Sequence, residues 1–174
     1  MHQVSRRRFL GSIAAALTTP RLLHADVRAR TLHFAHTHTG ERLTVDYFCD
    51  GGYRTDALAT VNRFLRDFRT NEVHEIDAGL LDVLHGLAGL VDTRHPFQVI
   101  SGYRSPKTNA ALRQRSEGVA AGSLHMTGQA IDIRLADVAL PHVRAAALSM
   151  KRGGVGFYPA SDFVHVDTGR VRTW

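Results

Sequence analysis

The stretch Ser123-Leu-His-Met-Thr-Gly-Gln-Ala-Ile-Asp132, answered further along by Phe163-Val-His-Val-Asp167, decides how this chain is read. In Ile131-Asp132-Ile133 and Val164-His165-Val166, polar residues alternate with β-branched apolar ones. That period of two marks half-buried strands, with the apolar side chains on one face and Asp132, His165 and Asp167 on the other. If the two strands pair antiparallel, Asp132 and His165 stand side by side. His125 precedes Asp132 by seven residues, and Gly128 between them permits the tight turn that returns its imidazole toward the strand. His125, Asp132 and His165 then offer two nitrogens and one oxygen to a zinc ion, leaving a fourth tetrahedral position for water. Water on such an ion ionises near neutral pH, so the set points to metal-assisted hydrolysis. Any one of these residues alone reads as a polar side chain on a solvated face; the constellation does not.

Outward from these strands the pattern is that of one domain. Residues 31 to 48 form a hairpin, Thr31 to Thr37 and Arg42 to Phe48 about a turn at Thr39-Gly40, closed by Gly51-Gly52. Two amphipathic helices follow, Thr55 to Phe68 and Asp77 to Val91. Their stripes Leu58, Val61, Phe64, Leu65, Phe68 and Leu80, Leu81, Leu84, Leu87, Val91 are core. Phe97 to Ile100 is a short buried strand leading into Ser101-Gly-Tyr-Arg104. Ser105 caps and Pro106 opens a helix that continues to Glu117, and a glycine-rich loop to Gly122 delivers the chain to His125. After the Asp132 strand, Pro141 to Met150 is a helix stopped by Gly153-Gly154, and Val155 to Tyr158 and Phe163 to Asp167 are the last strands. This order implies an α+β domain, helices packed on a mainly antiparallel sheet. No internal repeat, low-complexity tract or linker interrupts it.

The N-terminus carries its own message. Ser5-Arg-Arg-Arg-Phe-Leu10 is a twin-arginine consensus followed by the apolar run Gly11 to Leu17. Basic segment, short hydrophobic core and polar region are the order of a signal peptide. The run is shorter than the ~20 residues of a membrane span, so no stable membrane anchor is expected after cleavage. Cleavage after Ala25 divides the chain into a signal, 1–25, and a mature domain, 26–174, placed in the periplasm. It removes four arginines and no acid, lowering the formal charge from +6 to +2. The remaining basic residues are interspersed with acids, which excludes a nucleic-acid footprint. Cys49 is the only cysteine, so no intrachain disulfide exists, as suits folding in a reducing cytoplasm before export. In the run Tyr47-Phe48-Cys49 it reads as a buried small hydrophobe rather than a nucleophile.

At its metal-binding stretch the chain resembles the zinc D-Ala-D-Ala peptidases (peptidase family M15), which include the vancomycin-resistance dipeptidases and several murein endopeptidases. Ser123, His125, Gly128, Ala130 and Asp132 match the family's first motif, and Asp162-Phe-Val-His165 occupies its second. His38-Thr-Gly-Glu41, Ser101-Gly-Tyr-Arg-Ser-Pro106 with Asn109, and Gly154-Val-Gly-Phe-Tyr-Pro159 through Val164-His-Val-Asp-Thr-Gly169 are similar to the YcbK/MepK-like branch. The resemblance covers almost all of the mature chain. It implies a hedgehog/D-Ala-D-Ala-peptidase-like fold, a Zn2+ cofactor on His125, Asp132 and His165, and peptidoglycan peptides as substrate. It gives Arg104 the task of holding a substrate carboxylate or carbonyl. Ser123 either orients substrate or caps the turn to His125. Asp162 matches the position of the family's acidic base, although the dipeptidases have glutamate there. Asp167, on the strand face of His165, is the other candidate, as base or as a group that orients an imidazole. His36 and His38 could meet a metal from one strand face, but hairpin packing explains them more simply.

The expectation is therefore a periplasmic zinc metallopeptidase that cuts peptide cross-links in peptidoglycan, a murein endopeptidase. A D,D- or L,D-carboxypeptidase on stem peptides is the neighbouring alternative. A zinc-stabilised wall-binding module without catalysis is the alternative from another class.

Overall fold

A computed structural model describes residues 29–116 and 118–174; the expected signal segment, 1–25, lies outside the described residues, as does Glu117. The first hairpin is β1, Arg30–His36, and β2, Arg42–Cys49, in antiparallel register, with the short β3, Gly52–Tyr53, added to β2. Helices α1, Thr55–Phe64, and α2, Ala78–Leu90, precede β4, Phe97–Ser101. Helix α3, Pro106–Arg113, leads through a loop and a 3-10 turn, Leu124–Thr127, to β5, Ala130–Arg134. Then come α4, Leu140–Met150, β6, Gly154–Tyr158, β7, Phe163–Asp167, and β8, Arg172–Thr173.

The strands form a single sheet in the order β3-β2-β1-β4-β5-β7-β6-β8. Five of its pairings are antiparallel, while β1 with β4 and β6 with β8 are parallel. The domain is thus α+β with a mixed, mainly antiparallel sheet. Its apolar face is covered by the helices. Leu32, Phe34, Val99, Ile131, Ile133, Val164 and Val166 meet Val61, Leu80, Leu84, Leu87 and Val143, all at most 2% exposed. Period-two strands and period-3.6 helices bury matching stripes here, and that burial is the main source of stability. The opposite face of β5 and β7 is left for polar chemistry. No helix among the described residues is long and apolar enough to cross a membrane.

Two helices end earlier than the sequence pattern predicts. α1 stops at Phe64 rather than Phe68, because a non-local contact takes over: the Tyr103 N–H donates to the Leu65 carbonyl at 2.8 Å. Asp67, which would have continued the helix, turns its buried carboxylate to the Ser105 N–H at 2.9 Å and the Ser105 hydroxyl at 2.7 Å. α3 ends at Arg113, although it begins as expected, with Ser105 accepting from the Thr108 N–H and Pro106 in its first turn. Cys49 is half-buried on the hairpin rather than fully enclosed.

Candidate active site

Antiparallel pairing of β5 with β7 sets Asp132 opposite His165 and Ala130 opposite Asp167. Their apolar neighbours turn into the core, so these polar side chains share the other face. His125 joins them from the 3-10 turn. Gly128 closes that turn at φ 67°, and a Cβ there would run into the carbonyl oxygen of Glu75, so the close approach demands glycine.

His125 Nε2 lies 3.2 Å from Asp132 Oδ1 and 3.2 Å from His165 Nδ1, and the latter two are 2.9 Å apart. All three residues are buried. A tetrahedral ion with bonds of about 2.0–2.1 Å has edges of about 3.3 Å between ligand atoms, so this triangle is close to one face of such a tetrahedron.

The protons point the same way. His125 Nδ1 is 2.7 Å from the Gly102 carbonyl oxygen and must carry a proton to bond it, which leaves Nε2 as a lone pair. His165 Nε2 is 3.1 Å from Asp167 Oδ2, so it donates there and Nδ1 is the lone pair. Two lone pairs and a carboxylate oxygen therefore converge with no donor between them. Only a cation makes that buried arrangement favourable, either a metal or an added proton. The electrostatics of the cluster agree. Burial pushes the His165 imidazole down, yet the carboxylates of Asp132 and Asp167, which favour its protonated form, outweigh it and its pKa is raised. Asp132 is pushed up by burial and more strongly down by His125 and His165, and it ends well below the usual carboxylate range.

Asp167 is fixed on every side. Its Oδ1 accepts from the N–H groups of Gly154 and Gly169, both at 2.8 Å, and Arg172 donates to Oδ2 at 2.7 Å. Burial is outweighed by the His165 contact and these donors, so this carboxyl is also held well below its ordinary range.

The remaining expected residues divide. Arg104 lines the cleft beside the His125, Asp132 and His165 cluster, its guanidinium 3.4 Å from Asp132 Oδ2 and 3.5 Å from the Ser101 hydroxyl. Ser123 also lines the cleft, but its side chain does not cap the turn; of its two expected roles, the cap is not observed. Asp162 is not brought into the cluster. It follows a short turn at φ 54°, is mostly exposed, and pairs with Arg134 at 2.8 Å. His36 and His38 lie away from the cleft, His38 stacked on Phe68 and donating its backbone N–H to His36 Nδ1.

The cleft encloses about 480 Å³, within the range of small-ligand sites. Its wall includes Tyr158, Arg172 and Trp174, which the sequence reading left out. The chain's only tryptophan, two residues from an arginine and near the His165 motif, was the available signal.

The model of the family described as peptidoglycan L,D-endopeptidase MepK (Peptidase_M15_2) matches residues 24–174. The peptidoglycan L,D-endopeptidase MepK of Escherichia coli strain K12 is 49% identical over 162 residues, covering 92% of this chain and 89% of the relative. That of Shigella flexneri matches to the same extent. The probable peptidoglycan L,D-endopeptidase MepK of Haemophilus influenzae is 42% identical over 164 residues, 94% of this chain and 84% of the relative.

Proposed function

The chain belongs to the peptidoglycan L,D-endopeptidase MepK family of M15 peptidases, and from that membership we propose that it is a periplasmic, zinc-dependent endopeptidase. Its substrate is an L,D amide bond in the peptide cross-links of peptidoglycan. The observation that carries the metal reading is the meeting of two imidazole lone pairs and one carboxylate oxygen within 3.2 Å. His125 Nε2, Asp132 Oδ1 and His165 Nδ1 would hold the ion. Zinc bound there supplies Lewis acidity, polarising an amide carbonyl and bringing the ionisation of water near neutral pH.

The protein's own groups do the rest. The Gly102 carbonyl and the Asp167 carboxylate fix the tautomers and ring angles of His125 and His165. Asp167 is an orienting group, since both of its oxygens are already occupied by donors. Arg104 offers its planar fork to a substrate carboxylate or carbonyl, and Ser123 adds a hydroxyl to the same wall. Asp162 is assigned as general base. Its one side-chain partner, Arg134, stands two residues beyond Asp132 on the ligand face of β5, and their pair is exposed. Such pairs are worth about 0–1 kcal/mol, so breaking this one costs the carboxylate little. The Ser5-Arg-Arg-Arg-Phe-Leu10 segment and the apolar run after it support a mature domain of 26–174 behind a twin-arginine signal of 1–25.

The test is incubation of the mature protein with cross-linked muropeptides, zinc-loaded and chelator-treated, with products identified by mass spectrometry. Cross-links should be cut, chelation should stop the cutting, and zinc should restore it. Loss of only a terminal amino acid would make the protein a carboxypeptidase, and binding without cleavage would make it a wall-binding module. Cleavage indifferent to chelation would remove the metal from the mechanism.

A further inference from the structure

Trp174 is built onto the site rather than left beside it. Its backbone is tied to β6 on both sides, the Trp174 N–H donating to the Val155 carbonyl at 3.3 Å and the Phe157 N–H to the Trp174 carbonyl at 3.1 Å. Its Nε1–H donates to the Tyr158 hydroxyl at 2.7 Å. The Arg172 guanidinium sits 4.8 Å from its ring, held in turn by Asp167. Under the indole lies Gly156, whose strand partner is His165; a Cβ there would stand 2.8 Å from the ring carbons. The ring centre is 5.2 Å from that of His165. So firmly held an aromatic is nonetheless 47% exposed and lines the cleft.

We propose that the indole of Trp174 forms a second substrate subsite, receiving the aliphatic part of the amino acid that flanks the scissile amide on the side away from Arg104. The inference rests on the endopeptidase reading above. Sheet order supplies the geometry. Arg104 follows β4, the metal ligands Asp132 and His165 lie on β5 and β7, and Trp174 packs on β6, so arginine and indole flank the ligands on opposite sides. The Arg104 guanidinium is 3.4 Å from Asp132 Oδ2 and the indole centre is 5.2 Å from that of the His165 ring, so the two stand immediately on either side of the ligand pair. A peptide lying across the ligands therefore sets the residues that adjoin the bond to be cut against the arginine on one side and the indole on the other. The polar atom of the indole is already spent on Tyr158, so the open surface is apolar and selects aliphatic contact rather than a hydrogen-bonding group. A ring beside a metal ligand touches whatever adjoins the reacting amide, which in an amide-cleaving site is an amino-acid residue.

Because Trp174 is the only tryptophan, its fluorescence reports on this subsite directly. Zinc-loaded mature protein is titrated with a muropeptide monomer carrying a tetrapeptide stem, and cleavage of cross-linked muropeptides is followed in parallel. The emission should shift to the blue saturably and acrylamide quenching should weaken. Trp174→Ala should raise KM about 10-fold with kcat nearly unchanged, the signature of lost substrate contact, and with zinc content intact. Trp174→Phe should recover part of that loss. Gly156→Ala, which displaces the ring without removing it, should raise KM while keeping the indole. Wild-type KM in Trp174→Ala, or emission untouched by saturating muropeptide, overturns the subsite. A saturable emission change in a protein that cuts no cross-link keeps the subsite and overturns the endopeptidase reading instead.

Discussion

Asp167 and Asp162 lie within six residues of one another and sit in opposite surroundings. The first is sealed among Gly154, Gly169, Arg172 and His165; the second is on the surface with Arg134. Replacing each by asparagine separates the roles. Asp167→Asn keeps an oxygen for His165 but loses the anion that makes the imidazole a better donor to metal. Zinc affinity should fall about 10- to 100-fold in a chelator competition. Asp162→Asn should leave zinc affinity unchanged and cut turnover by about 10²–10⁴-fold, the usual worth of a base. Arg134→Ala should not reduce turnover, because it only frees Asp162. Reversed phenotypes would exchange the two assignments. A third residue sets a pH limit. His36 is buried against Phe64 and Phe68, and burial first, then the neighbouring His38, pushes its pKa down to about 4. Arg66 and Arg69 push the same way and Glu41 opposes them. The unfolded chain protonates this imidazole near 6.5 while the folded one stays neutral until about 4. Stability must therefore fall as pH drops through that window, by up to about 3 kcal/mol from this group, and no further below it. Urea unfolding with chelator present should show a steeper loss between pH 6.5 and 4 in the wild type than in His36→Gln. Parallel profiles would mean the ring is not held neutral.

At the scale of elements, the loop from α1 to α2 is what aims Arg104. Asp67 accepts from the Ser105 N–H, the Ser105 hydroxyl and the Arg69 N–H, and so fixes the first residue of the α3 turn, next to Arg104. Burial opposes its charge, but the Thr108, Ser105 and Arg69 donors outweigh it and hold the carboxyl below its ordinary pKa. Asp67→Asn turns an acceptor into a partial donor against these groups. It should cost about 1.5–3 kcal/mol in urea unfolding, with lower kcat/KM and unchanged zinc affinity. A variant as stable and active as the wild type would show that α3 does not depend on this anchor. The same loop marks the limit of what local pattern reveals. The hairpin, the Ser105-Pro106 start and the alternation around Asp132 and His165 are written in neighbouring residues, and so were legible. The end of α1 depends on Tyr103, far along the chain, and no periodicity announces it. The Asp162–Arg134 pair depends on the register of β5 with β7, and the seat of Trp174 on a missing Cβ at Gly156. The parallel pairings of β1 with β4 and of β6 with β8 were hidden for the same reason.

For the whole molecule, the sheet fixes when folding can finish. β1 sits beside β4 and the last strand, β8, joins β6, so the sheet contains both the earliest and the latest described strands and closes only when all are present. The candidate metal ligands come from the turn before β5, from β5 itself and from β7, and they too assemble only in the finished fold. A single cysteine means that no oxidising compartment is needed for an intrachain disulfide. Each of these suits export in the folded state, with metal loaded beforehand, and the Ser5-Arg-Arg-Arg-Phe-Leu10 segment has the form of the signal for that route. Recognition there rests on the paired guanidinium groups, which lysine does not reproduce. Replacing Arg6 and Arg7 by lysine should therefore keep the charge of the segment and strand a folded, uncleaved precursor in the cytoplasm, read by fractionation and immunoblotting. The unmodified precursor should be stranded likewise in cells that lack twin-arginine transport. Normal periplasmic delivery in either case would assign the segment to a route for unfolded chains, and the metal would then have to be acquired after export.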